Sequence, residues 1–247
     1  AGNGIAATTT GNKVFFAGGD PGYSGVSGYD HSSKVDIYDL VTGTWSTASL
    51  SEGKTSLSAV ATNNKVYFAG GSTRINNSSN NYTVFNSILI DIYDNAKNTW
   101  TTSFLQEGKS SFAGIAVGDK IYWAGGITSR ITGSSSTGVP NFSSYTSCVV
   151  EIRDVSTGSV TIQNLFKPTN FSTSGCKNAV IKNNKIIFYG SDTNKFDIYD
   201  IATNTWSIGL LPMNIVGACI LSVNNIIYIA GGSVNGVLSN QVWKLEF

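Results

Sequence analysis

Charge is scarce in this sequence. Only 13% of its 247 residues are charged, and the formal net charge is +1. A surface so close to neutral offers no electrostatic footprint for nucleic acid or an anionic membrane. No apolar run approaches the roughly 20 residues that cross a bilayer, so membrane insertion is not expected. Histidine occurs once, as His31. One imidazole excludes any metal centre that needs two. Asp30 and His31 could in principle join a serine triad, but adjacency alone does not orient a pair. No D-x-[DN]-x-[DN]-G calcium loop is present, and no cofactor is expected. Cys148, Cys176 and Cys219 form an odd set without CxxC spacing, which reads as small hydrophobes with room for one bridge. No window has a helical period.

What remains is rich in Ser, Thr, Asn and Gly. With so few charges, that composition fits a secreted or cell-surface protein, with the cytoplasm as the alternative. A start at Ala1 without Met is expected of a processed or excised chain. Asn77, Asn81, Asn141 and Asn170 begin N-x-S/T triplets, which matter only in a glycosylating host.

The dominant signal is a repeat. "NKVFFAGG" (12–19) returns as "NKVYFAGG" (64–71) and "DKIYWAGG" (119–126), and more weakly as "NKIIFYGS" (184–191) and "NNIIYIAGG" (224–232). A second block follows each: "DIYDLVTGTW" (36–45), "DIYDNAKNTW" (91–100), "EIRDVSTGSV" (151–160), "DIYDIATNTW" (197–206) and a truncated "QVWKLEF" (241–247). Each unit reads as four strands. "SLSAVAT" (56–62) alternates like a half-buried strand. Asn63-Asn64 suits a tight turn because Asn tolerates positive φ. "KVYFAG" is apolar on both faces, as a doubly covered strand must be. The Gly pair marks a bend or close backbone approach. "VDIYD" is the third strand, and the fourth begins at the Trp.

Gly53-Lys54-Thr55 and Gly108-Lys109-Ser110 imitate the tail of a phosphate-binding loop. The leading Gly of G-x4-G-K-[ST] is Ala48 in one copy and Ser103 in the other, and no helix follows. A nucleotide site is therefore not expected. The lysines are instead read as equivalent positions in the connections between units.

These blocks resemble the kelch family of β-propellers, over essentially the whole chain. The resemblance implies an all-β, kelch-type propeller with radial four-stranded blades. Five blades are recognisable, at approximately 1–53, 54–108, 109–173, 174–214 and 215–247, in a single domain. Blade three departs with Arg153 and Val160 at the Tyr and Trp positions, and blade four with Ser191 at the second Gly. Nineteen strands are expected rather than twenty, because the last blade lacks its outermost strand. The resulting 240–247 edge is expected to be covered by flanking sequence or to pair with another molecule.

The connections between second and third strands are long in three units, at 20–34, 72–87 and 127–147, and short at 191–195 and 233–240. They read as loops on one face, built up over three units and low over two. Loops carry function more often than scaffolds do. Tyr23, Tyr29, Tyr82, Phe85, Phe142 and Tyr145 supply aromatic anchors, and Arg74 and Arg130 could grip a carboxylate. Lys54 and Lys109 join this candidate binding set. The expected function is a non-catalytic module binding a protein segment or a glycan. The alternatives are a sugar-processing enzyme using loop carboxylates among Glu52, Glu107, Asp20, Asp30 and Asp192, or an architectural domain of a larger exported protein. Trp45, Trp100 and Trp206 recur once per unit and are expected to be packing elements, and the Asp pairs of "DIYD" to bond backbone.

Overall fold

The structure, a computed structural model, describes residues 3–20, 31–78, 81–134, 140–171, 178–190 and 194–245; for 75–78, 81 and 82 it describes the backbone. The described residues contain strands and no helix. The first unit supplies β1 (Ala6–Thr10), β2 (Lys13–Ala17), β3 (Lys34–Asp39) and β4 (Trp45–Ser49). The second supplies β5 (Ser58–Thr62), β6 (Lys65–Ala69), β7 (Ser72–Ser78), β8 (Asn81–Asn86), β9 (Leu89–Asp94) and β10 (Thr99–Phe104). In the third are β11 (Lys109–Ser110), β12 (Ala113–Val117), β13 (Lys120–Ala124), β14 (Ile127–Ser134), β15 (Pro140–Thr146), β16 (Val149–Asp154) and β17 (Val160–Asn164). The fourth has β18 (Ala179–Lys182), β19 (Lys185–Tyr189), β20 (Lys195–Asp200) and β21 (Thr205–Leu210). The last has β22 (Ile215–Val216), β23 (Cys219–Val223), β24 (Ile226–Ala230), β25 (Ser233–Val234), β26 (Val237–Leu238) and β27 (Val242–Leu245).

Each unit folds into an antiparallel meander. Four sheets have four strands, and the last, β23-β24-β27, has three. The turn chemistry is the expected one. Asn63-Asn64, Asn183-Asn184 and Asn224-Asn225 all take positive φ between the first two strands. At the second hairpin, Asp39, Asp94, Asp154 and Asp200 each accept hydrogen bonds from the backbone N–H groups two and three residues on. All four carboxyls lie below their ordinary pKa: Asp39 and Asp94 chiefly through these backbone bonds, Asp154 at about 2 chiefly through the Ser156 hydroxyl, and Asp200 chiefly through the Lys185 ammonium.

The second strand of each inner unit is buried on both faces, so one residue packs forward and the next packs back. Four separate cores result, one between each pair of successive sheets. Phe15 and Ala17 meet Val66, Phe68 and Tyr93 in the first. Tyr67 and Ala69 meet Ile121 and Trp123 in the second. Tyr122 and Ala124 meet Ile186, Phe188 and Tyr199 in the third, and Ile187 and Tyr189 meet Ile227 and Ile229 in the fourth. The first strands β1, β5, β12, β18 and β23 touch one another in that order.

The Gly pairs form the seams between these sheets. The N–H of Gly19 donates to the Lys54 carbonyl, that of Gly71 to Lys109 and that of Gly126 to Thr169. One residue earlier, a Cβ on Gly18, Gly70 or Gly125 would lie 2.4, 2.4 or 2.5 Å from the same three carbonyl oxygens. Only glycine lets the backbones approach so closely. Arg153 occupies a Tyr position in the third sheet. Its guanidinium pairs with Glu151 at 3.0 Å, donates to Ser103 Oγ and the Phe104 carbonyl, and lies over Trp123. Arg153 thereby ties its sheet to the preceding one.

Two expectations fail here. The 72–87 and 127–147 connections are not loops: most of their residues form the β7–β8 and β14–β15 hairpins, and 233–238 forms the small β25–β26 hairpin. Among the tryptophans, Trp100 and Trp206 are half-buried, but Trp45 is 61% exposed and packs only at the margin of its own sheet. Trp123 is fully buried and Trp243 borders the fourth core. Cys219 is disulfide-bonded and Cys148 is free.

Candidate functional site

The connection between units contains "EGK" twice, in a stretch that reads as solvated. The structure buries it. Lys54 and Lys109 are both 0% exposed, because each reaches into the following unit. Lys54 Nζ lies 2.9 Å from Asp91, 3.8 Å from Glu52, and donates to the Leu89 carbonyl. Lys109 Nζ lies 3.6 Å from Glu107 and donates to the Val149 carbonyl. Burial pushes the Lys109 ammonium below its ordinary pKa, and the negative charges of Glu107 and Glu151 oppose that shift. Lys54 and Lys109 are therefore seam residues and not part of a ligand surface. The sequence carries no signal that discriminates them: unit four has the equivalent carboxylate, Asp197, yet Lys167-Pro168-Thr169 stands where the other two have Glu-Gly-Lys.

The same seam occupies the candidate catalytic carboxylates. Glu52 accepts from Ser87 Oγ, and Glu107 accepts from Ser147 Oγ at 2.7 Å. Each serine also caps its own third strand by accepting from the N–H of Leu89 or Val149. His31 sets its carbonyl against Gly53, where a Cβ would come within 2.0 Å of the oxygen. Asp30 lies outside the described residues, as do Tyr23, Tyr29 and Asp192. Among the described residues no group of three metal-ligating side chains is present.

The two long hairpins stand side by side. Phe85 of β8 stacks on Phe142 of β15 at 5.7 Å, and Asn86 Nδ2 donates to the Ile127 carbonyl and to Ser129 Oγ. Two predicted anchors are thus partly used to join the hairpins. Cross-strand register fixes the rest. Arg130 lies opposite Ser143, and Thr128 opposite Tyr145, on the other face of the β14–β15 hairpin from Phe142. There the Arg130 guanidinium sits 4.5 Å from the Tyr145 ring centroid. This cation–π contact holds a long side chain in place while its N–H groups stay exposed.

Arg74 and Arg130 do not form a joint clamp. Arg74 is half-buried, with its side chain 14% exposed and 4.0 Å from Asp20. The backbone of Tyr82 belongs to β8, and its side chain lies outside the described residues. The structure therefore brings together Phe85 with Phe142 and Arg130 with Tyr145, and diverts Arg74, Lys54 and Lys109 to internal pairing.

No family model matches the sequence, and no curated protein matches it. Solved structures do share its fold. That of YjhT superposes with a TM-score of 0.65 at 15% identity, covering 98% of this chain and 80% of that one.

Proposed function

We propose that the chain is a kelch-type β-propeller acting as a non-catalytic binding module, with its ligand face on the exposed side of the β14–β15 hairpin. The propeller reading draws on five meanders in sequence order, first strands touching in succession, and a core between each successive pair. One observation carries the binding reading. Of the three arginines, Arg74 pairs with Asp20 and Arg153 with Glu151, while Arg130 has no carboxylate within 4 Å among the described residues. An exposed guanidinium pre-ordered on an aromatic ring, with Ser143 across the strand, suits a polar ligand bearing an acceptor group. The ligand is a protein segment or a glycan. Engagement of Glu52 and Glu107 in the seams favours recognition over acid–base chemistry.

A glycan and peptide array tests this. Arg130→Ala is expected to weaken binding about tenfold or more, the loss of one charge-assisted contact, and Tyr145→Ala to follow it. Retention of full binding after both changes would remove the assignment of this face.

A further inference from the structure

The molecule shows twice how it covers one particular aromatic trio. In the second sheet Trp100 lies 6.1 Å from Phe68 and 5.2 Å from Tyr93. The first sheet caps this trio with Phe15, 5.2 Å from Tyr93, while Lys13 Nζ donates to the Tyr93 hydroxyl at 2.8 Å. In the fourth sheet Trp206 lies 5.9 Å from Phe188 and 4.9 Å from Tyr199. The third sheet caps it with Tyr122, 5.7 Å from Tyr199, and with Gln163, which accepts from Trp206 Nε1. The first sheet carries the same trio, with Trp45 at 6.0 Å from Phe16 and 5.0 Å from Tyr38. Among the described residues this trio has no cap: Trp45 is 61% exposed and Phe16 is 38% exposed, against 0% for Phe68 and Phe188.

A polar feature beside the trio repeats the pattern. Asp91, Glu151 and Asp197 sit directly opposite Phe68, Trp123 and Phe188. Each is buried and accepts a backbone N–H from the preceding connection, at Ser51, Gln106 and Phe166 respectively. Asp36 is opposite Phe16 in the same register, yet its side chain is 40% exposed and pairs with Lys34 at the surface. The far side of the last sheet is the complementary half. Tyr228 occupies the strand position of the caps Phe15 and Tyr122, and its neighbours Leu221, Val223 and Val242 are exposed.

We infer that these two bare faces are the seats for one further sheet of the same repeat, carried on the same polypeptide outside these 247 residues. That sheet presents an aromatic residue from its second strand to Phe16 and Trp45, and a backbone N–H from its connection to Asp36. It covers the Tyr228 side with a trio of its own. The occupant is argued from continuity with the four seams already formed. The inference rests on the propeller reading, in which the first and last sheets flank one gap.

The test appends a copy of residues 54–108, the chain's own second unit, after Phe247. Acrylamide quenching of Trp45 is isolated by difference from Trp45→Phe. Trp45 is expected to be readily quenched in the 247-residue chain and several-fold less so in the extended chain. Equal quenching in a folded extended chain overturns the inference. So does shielding of Trp45 in the unextended chain, whether concentration-dependent, by a second copy, or not, by closure of the chain on itself. If the extension does not fold, the unextended chain still decides. There Trp45→Ala should move the melting temperature far less than Trp100→Ala, and equal shifts overturn the seat. Small-angle scattering of the 247-residue chain tests the propeller arc separately, whatever covers Trp45.

Discussion

The seams at the two ends of the chain solve one geometric problem with opposite chemistry. Between sheets one and two the seam residue is Lys54, facing Asp91; between two and three it is Lys109, facing Glu151. Between three and four the same position is Thr169, and among the described residues no lysine lies within 4 Å of the Asp197 carboxylate. Between four and five it is Ile215, and Trp243 stands where the carboxylate was. The first three pairs of sheets nevertheless meet in the same way, and at the fourth the Tyr189 hydroxyl donates to the Ile215 carbonyl. What the glycine pair requires is a backbone carbonyl, which every residue type supplies. The side chain is then free to be ionic or apolar. A buried ion pair contributes little net stability over a well-packed apolar pair, because desolvation offsets the attraction.

The comparison breaks most clearly if one charge is removed. Lys54→Met leaves Asp91 buried without its cation and is expected to cost about 3–5 kcal/mol in urea denaturation. Lys54→Met with Asp91→Asn removes both charges and keeps an acceptor for the Ser51 N–H, so most of that loss should return. Thr169→Val at the third seam should cost about 1 kcal/mol, since its hydroxyl makes one local bond to the Lys167 carbonyl. Equal losses for Lys54→Met and Thr169→Val would show that the lysines are not seam ions.

The glycines sharpen the same comparison at smaller cost. Gly70 (φ +59) would place a Cβ 2.4 Å from the Lys109 carbonyl, whereas Gly231 (φ +71) would meet only the Ser239 oxygen at 3.9 Å. Gly231→Ala should cost only the left-handed backbone, about 1–2 kcal/mol. Gly70→Ala should cost clearly more, because two sheets must separate. Thermal melts of the two variants decide it, and equal shifts would mean the Gly pair is a bend and not a seam.

These positions also show what could be read in advance. The Asn-Asn turns, the Asp turn caps and the doubly buried second strands were legible, because each rests on local chemistry within one unit. The burial of Lys54 and Lys109 was not, because their partners sit on the third strand of the following unit. A lysine among Gly, Ser and Glu looks solvated until that strand is placed beside it. The β7–β8 and β14–β15 hairpins were hidden for another reason. Their ladders are backbone bonds between Ser-, Thr- and Asn-rich segments with little apolar alternation. Phe85 and Phe142 were recognisable as aromatics, but not as each other's partners. The fold was therefore more legible than the site.

The smallest effect separates the seams by the sign of their pH dependence. Burial holds the Asp197 carboxyl above its ordinary pKa, opposed by the Phe166 N–H and by Lys167. A raised carboxyl pKa favours the protonated folded state, so this group's contribution is fully present below pH 3.8 and is lost as pH rises through the raised value. Asp197→Asn keeps an acceptor for the Phe166 N–H and carries no charge. It should melt no lower than the parent at neutral pH, with the two curves converging in acid. The turn aspartates run the other way. Asp154, held at about 2 by Ser156 and Thr157, contributes above pH 3.8 and loses that contribution as pH falls toward 2. Asp154→Ala should therefore differ from the parent at pH 6 and match it near pH 2. An Asp197→Asn variant that melted below the parent at neutral pH, with the gap closing in acid, would mean that the third seam stabilises its carboxylate and would overturn this reading.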